Sequence, residues 1–153
     1  MTLLLIRHAH AGSRKDWAGN DGLRPLSAKG LRQAAALPAL LRPWVPSRVL
    51  SSPALRCSQT VQPLADRLRV KIEEAEELAE GANGEAVELV RSLTDARVAM
   101  CTHGDVILEI LVALADEDHL DLGPAPRQAK GSVWVLEAKR GRFLKAKYIP
   151  PKG

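Results

Sequence analysis

The chain has 153 residues, 46% apolar and 26% charged, which suits one domain around a single core of ordinary size. A net charge of +4 and an isoelectric point near 9.3 invite a nucleic-acid reading, but the basic residues are spread along the chain and aromatics, at 3%, are too few for base stacking. No apolar run reaches membrane-spanning length and no secretory leader precedes the first expected strand, so a cytoplasmic protein without a nucleic-acid or membrane partner is expected.

Thr2 to Ile6 reads as the first strand. Its run Leu3-Leu4-Leu5-Ile6 is apolar throughout, the pattern of a strand buried on both faces in a parallel sheet. Arg7 and His8 follow at its carboxyl end, where open α/β sheets bind ligands. Residues 9–26 form a long polar loop, and loops of that length in small domains are usually functional. Ser13, Arg14 and Lys15 in this loop are candidate substrate contacts, or ordinary loop residues. Ser27 caps the next helix, with Leu26 and Leu31 spaced as a hydrophobic staple and Pro38 expected to kink or end it. Arg48 to Ser51 is the second strand. Ser52 is a natural N-cap and Pro53 a natural first residue for a helix running to Leu68, bent at Pro63. Arg56 then falls in the first turn, where free N–H groups and the macrodipole favour anions.

Val70 to Glu73 reads as a short strand and Gly84 to Leu93 as a helix. Arg97 to Thr102 is another buried strand, followed by His103, Gly104 and a helix from Asp105 to Ala115. Residues 119–131 are irregular, with Pro124 and Pro126. Ser132 to Ala138 and Arg142 to Ile149 form two strands joined at Gly141, with the tail 150–153 expected to fray. The cluster Lys139, Arg140, Arg142, Lys145 and Lys147 on this hairpin reads as a solvated surface. The alternation predicts one α/β domain over residues 1–149: three layers, with a mostly parallel central sheet flanked by helices. Cys57 and Cys101 show no metal spacing and do not begin a Cys-x5-Arg pattern, so two buried reduced thiols are expected. His10 either lines the pocket or is a simple loop residue, and His119 reads as solvated.

Three strand ends thus supply two arginines and two histidines. Guanidinium forks match phosphate oxygens in pairs, and neutral imidazole is a nucleophile at physiological pH. The segment Leu5-Ile6-Arg7-His8-Ala9-His10-Ala11-Gly12 resembles the signature of the histidine phosphatase superfamily, which includes the cofactor-dependent phosphoglycerate mutases. The resemblance continues through Arg24-Pro25-Leu26-Ser27-Ala28-Lys29-Gly30-Leu31-Arg32-Gln33-Ala34 and Ser51-Ser52-Pro53-Ala54-Leu55-Arg56-Cys57-Ser58-Gln59-Thr60. Thr102-His103-Gly104 and Lys130-Gly131-Ser132-Val133-Trp134 complete it. The branch is that of the small SixA-type phosphohistidine phosphatases and of phosphatase domains fused to MutT-like Nudix hydrolases.

The resemblance implies a phosphoglycerate mutase-like fold and a role for each residue. His8 attacks phosphorus and carries a phosphohistidine, Arg7 and Arg56 bind the non-bridging oxygens, and His103 donates to the same oxygens. Four such side chains supply the charge without a metal or cofactor. A carboxylate that protonates the leaving group is implied for many members, and Glu80 in Glu73-Glu74-Ala75-Glu76-Glu77-Leu78-Ala79-Glu80-Gly81 is the candidate. The competing reading of that run is a solvated acidic face, and SixA-type members lack such an acid. The chain has no room for the large lid of a mutase, so hydrolysis is expected. The substrate is a phosphorylated small molecule, a nucleotide or a phosphohistidine protein. The alternative is a catalytically weak module that holds a phosphorylated ligand in the same pocket.

Overall fold

The computed structural model describes residues 1–124 and 126–153. Ala125, one position of the irregular run 119–131, lies outside the described residues. Strand β1 (Thr2–Arg7) occupies the middle of the sheet because Leu3, Leu4, Leu5 and Ile6 bury side chains on both faces, each at most 1% exposed. Burial of one such side chain is worth about 1.5–3 kcal/mol.

The other strands are β2 (Arg48–Ser51), β3 (Ile72–Glu74), β4 (Arg97–Thr102), β5 (Val133–Lys139) and β6 (Arg142–Ile149). They form one six-stranded sheet in the order β3-β2-β4-β1-β5-β6. The pairs β1–β4, β2–β4 and β2–β3 are parallel, whereas β1–β5 and the β5–β6 hairpin are antiparallel. The sheet is therefore mixed and mostly parallel.

Alternation of side chains along each strand sorts the core into two layers. Leu3, Leu5, Val98, Met100, Trp134 and Leu136 pack against α3 (Glu85–Ser92) and α4 (Gly104–Asp118). Leu4, Ile6, Val49, Ala99, Cys101 and Val135 pack against α1 (Ala28–Leu40) and α2 (Leu55–Leu68). The expected three-layer α/β architecture is the observed one. The same parity sends His8 and His103, two residues beyond Ile6 and Cys101, toward the α2 side.

Several boundaries differ from the sequence reading. Ser52 does not cap α2, which begins at Leu55 with Ala54 at its boundary and Pro53 outside it. The Ser52 hydroxyl is instead drawn to His103. The third strand starts at Ile72 because Arg69, in left-handed conformation at φ 56°, closes α2 and Val70 still bonds back to Ala65. Helix α1 runs two residues past Pro38, and α2 continues through Pro63. The staple is not formed: Leu26 is buried with Ala9, Ala11 and Ala34, while Leu31 is 53% exposed.

Gly30 fixes how α1 meets the loop after β1. A Cβ at this position would fall 1.9 Å from the His10 carbonyl oxygen, so only glycine permits the approach. The loop 9–26 is pinned from two helices. Gln33 of α1 accepts from the His10 N–H (2.9 Å), and Gln59 of α2 accepts from the Leu26 N–H (2.8 Å). Two short 3-10 turns, Arg14–Asp16 and Asp21–Leu23, shape its middle. Residues 150–153 carry no regular structure, and Gly153 lies beside the Arg32 backbone. Among the described residues, no helix is long and apolar enough to cross a membrane.

Candidate active site

His8 is 6% exposed at the end of β1, and its Nδ1 lies 2.8 Å from the Ala9 carbonyl oxygen. A carbonyl only accepts, so Nδ1 carries the proton and Nε2 holds the lone pair. Burial is the main reason that the His8 pKa drops to about 3; the Ala9 carbonyl opposes it, and His103, Arg56 and Arg7 add to it by repulsion. The neutral ring is therefore the resting form.

Thr60 holds the backbone beneath this ring. Its hydroxyl accepts from the Ala9 N–H (2.9 Å) and donates to the Arg56 carbonyl (2.6 Å), so one side chain on α2 joins the nucleophile's loop to the turn that carries Arg56. Arg56 is 2% exposed. Its Nη1 donates to the Asp21 carbonyl (2.9 Å), and its Nη2 lies 3.2 Å from Asp21 Oδ2 and 3.7 Å from Glu80 Oε2. Arg7 donates from Nη1 to the Gln128 carbonyl (2.8 Å), and burial pulls its pKa below the usual range. The Nε atoms of Arg7 and Arg56 are both buried without a partner. Two orphaned, cationic donors beside a neutral imidazole make a receptor for an oxyanion. Gly104 keeps Arg7 in place: a Cβ there would lie 3.1 Å from the Arg7 guanidinium carbon and 2.7 Å from Gln128 Oε1.

His103, at the start of α4, is 2% exposed. Its Nε2 is 2.8 Å from Ser52 Oγ and its Nδ1 is 3.4 Å from Arg56 Nη2. A guanidinium only donates, so Nδ1 accepts from Arg56 and the neutral ring gives its Nε2 proton to Ser52 Oγ; to donate to a phosphate oxygen from Nδ1, His103 must exchange the Arg56 contact.

Arg7, His8 and Arg56 meet in a cavity of about 450 Å³ also lined by Gly12, Ser13, Arg14, Arg24, Glu80 and Lys130, and His103 lines a neighbouring cavity of about 260 Å³ that shares Arg56 and Glu80 with it. The structure thus brings Arg7, His8, Arg56 and His103 together, with Ser13, Arg14 and Glu80 at the mouth. It does not bring Lys15 there: that side chain is exposed, and its N–H donates to Ser13 Oγ. His10 turns to Ser27 Oγ (2.6 Å) and does not line the cavity. Glu80 is engaged by Arg14, whose Nη2 donates to both carboxylate oxygens at 2.9 and 3.0 Å. Its loop is tied to β4, where Thr102 Oγ1 donates to the Leu78 carbonyl, and to α4, where Asp105 accepts from the Gly81 N–H.

Sequence reasoning missed Asp21, Arg24, Ser52, Thr60 and Lys130. Asp21 is shared by three arginines, Arg14, Arg24 and Arg56, at 3.0–3.3 Å. Burial works to raise its carboxyl, but the Arg24 bond and the Arg56 and Arg14 charges hold it below its ordinary range. Four of the five lie inside segments that carry the family resemblance, which was the available signal. Cys57 and Cys101 are free and buried, and Cys57 Sγ sits 3.6 Å from His103 Nε2. Among the described residues, no group of three or more His, Cys, Asp and Glu is placed to hold a metal. A separate cavity of about 540 Å³, near Met1, Val90 and Phe143, holds no imidazole, thiol or carboxylate.

Residues 3–92 match the family described as histidine phosphatase superfamily (branch 1). The chain belongs to this superfamily. It is 30% identical to the 8-oxo-(d)GTP phosphatase of Mycolicibacterium smegmatis, an alignment covering 98% of this chain and 48% of the relative, so the chain spans about half that protein's length. Among solved structures it is similar to a putative phosphohistidine phosphatase SixA from Nakamurella multipartitia, with 25% identity and a TM-score of 0.73 over 99% of this chain and 95% of that one. The protein histidine phosphatase SixA complexed with tungstate shares the fold, with a TM-score of 0.77 at 21% identity over 99% and 96% of the two chains. Within this superfamily, its fold matches that of the SixA-type structures.

Proposed function

We propose that the chain hydrolyses a phosphate ester or phosphoramidate through a phosphohistidine on His8. The observation that carries this reading is the His8 tautomer: Nδ1–H is spent on the Ala9 carbonyl, which leaves Nε2 free as a nucleophile beside two guanidinium groups with unpartnered Nε–H donors. Nε2 attacks phosphorus, the bond from phosphorus to the leaving oxygen or nitrogen breaks, and the leaving group takes the electron pair. Water then attacks the phosphohistidine, the N–P bond breaks, and orthophosphate departs from neutral His8. Arg7, Arg56 and His103 bind the three non-bridging oxygens, where charge concentrates in the transition state. Glu80 is the candidate proton donor for an ester leaving group, and it must first exchange its contact with Arg14.

The likeness to a SixA structure supports a phosphohistidine protein as substrate, and the likeness to an 8-oxo-(d)GTP phosphatase supports a nucleotide. A cytoplasmic setting suits either. The test is phosphate release from an aryl phosphate with a chelator present, native chain against His8→Ala. Turnover that disappears in the variant, with an acid-labile, alkali-stable phosphoenzyme trapped only in the native chain, is the expected result. Equal turnover in both chains would place the chemistry elsewhere. Tight phosphate binding without turnover of any phosphorylated substrate would favour the alternative, a phospho-ligand-binding module.

A further inference from the structure

The cavity holds more positive charge than one phosphoryl group uses. Arg7, Arg14, Arg24, Arg56 and Lys130 all line it. Arg14, Arg24 and Arg56 share the carboxylates of Asp21 and Glu80. Arg7, Arg56 and His103 suffice for three non-bridging oxygens. Lys130 remains: it is half-buried, and among the described residues it makes no ion pair. Burial and the charges of Arg7, Arg24 and Arg56 push its pKa down, and an anion bound beside it would relieve that repulsion. Its backbone is held next to the nucleophile, because the Gly131 N–H donates to both the Arg7 and His8 carbonyls at 3.1 Å. The cavity, about 450 Å³, lies within the roughly 300–1,000 Å³ range of small-molecule sites, so it admits more than a single phosphoryl group.

We propose that the site takes a phosphoanhydride, a diphosphate or triphosphate ester, with Lys130 holding the phosphate that departs. This rests on the phosphohistidine reading above. His8 Nε2 attacks the terminal phosphorus, the P–O bond to the bridging oxygen breaks, and that oxygen leaves with the electron pair as part of a phosphate monoester from a diphosphate, or of a diphosphate ester from a triphosphate. A phosphate monoester has a second pKa of about 6, so it departs as an anion and needs no proton. A cation at that place stabilises the departure where an acid is otherwise required. The arrangement accounts for two observations together: among the described residues Lys130 has no carboxylate partner, and Glu80 is occupied by Arg14. Among the described residues, no Phe, Tyr or Trp side chain lines the cavity, so the recognition is of the phosphates rather than of a stacked base.

The test compares kcat/KM for ADP and for an aryl phosphate in the native chain and in Lys130→Gln, Lys130→Arg and His8→Ala, each confirmed folded by its melting temperature. The expected result is that K130Q lowers the ADP to aryl phosphate ratio by about tenfold or more, the scale of a lost charged hydrogen bond, and that K130R recovers most of it. An unchanged ratio would overturn the proposal. So would a native chain that hydrolyses the aryl phosphate or a phosphohistidine peptide but not ADP. Both of those results leave the His8 mechanism intact, whereas retention of both activities in H8A would remove that mechanism itself.

Discussion

The rings of His8 and His103 stand edge to face, with centroids 5.5 Å apart and planes inclined at 64°. Two imidazolium ions at that distance would repel, and the buried setting of His8 resolves the conflict by keeping it neutral. With its pKa lowered to about 3, protonation of His8 does not limit the free enzyme until well below neutrality. An ordinary histidine would be only ~3% neutral near pH 5. The kcat/KM profile for an aryl phosphate, corrected for the substrate's own ionisation, should therefore stay flat from His8 down to about pH 4. An acid limb near the ordinary histidine value that coincides with the titration of His8 followed by its nitrogen chemical shifts would contradict this.

The same shift predicts a stability effect. Between about pH 3 and the ordinary value of ~6.5, the unfolded chain binds a proton at His8 that the folded chain does not. Stability thus rises with pH through that window and falls as the medium is acidified. His8→Gln should flatten the slope of melting temperature against pH over the same range, as followed by thermal denaturation. An unchanged slope would mean that His8 is charged in the folded state.

Ser52 acts through His103 and should report it. Removing the hydroxyl in Ser52→Ala deletes the partner of His103 Nε2, 2.8 Å away. The expected loss in kcat is roughly tenfold or more, with a smaller change in KM. Nitrogen chemical shifts of His103 provide the separate readout: Nε2 protonated in the native chain, a mixture of tautomers in the variant. Identical shifts in both would show that Ser52 does not set the tautomer.

Thr60→Val keeps the shape of the side chain and removes the bridge between Ala9 and Arg56. The Ala9 N–H is then buried without an acceptor, a cost of about 1–3 kcal/mol. Melting temperature should drop, and so should activity, because the backbone that carries His8 is released. Gly30→Ala tests the neighbouring contact: the 1.9 Å approach to the His10 oxygen leaves no space, so a loss of ~1–3 kcal/mol or more is expected in chemical denaturation.

Glu80→Gln separates the two kinds of leaving group. For an alkyl phosphate, whose leaving oxygen must be protonated, loss of a general acid costs about 10²–10⁴-fold. For an aryl phosphate or ADP the loss should be much smaller, as measured by kcat/KM. Equal losses for all three would give Glu80 a role in binding rather than proton transfer.

Much of the site was legible because its residues follow buried strands. Leu3 to Ile6 and Val98 to Cys101 are apolar without interruption, so the positions after them, His8 and His103, had to emerge at the sheet's edge. Arg56 was legible from its place in the first turn of α2. Asp21 and Lys130 were not, for a physical reason: each lies in an irregular segment with no period, and its meaning comes from arginines that only tertiary structure brings near. Ser52 read as a cap because the local chemistry suits one. A buried imidazole in hydrogen-bond reach took its hydroxyl away, which no local rule foresees. Leu31 shows the same limit for packing, since the spacing of a staple was present while Leu26 found its neighbours in Ala9, Ala11 and Ala34.

The oxyanion receptor draws Arg7, Arg56, His103 and Lys130 from separate ends of the chain, and each is fastened to backbone that belongs to the sheet or to a helix packed on it. No fragment of the fold contains the receptor. A small oxyanion such as orthophosphate or vanadate therefore binds the native state and has nothing to bind in the unfolded one, so its affinity is written into the melting temperature of the whole domain. A thermal shift titration becomes an assay of the intact pocket that requires no substrate and no turnover.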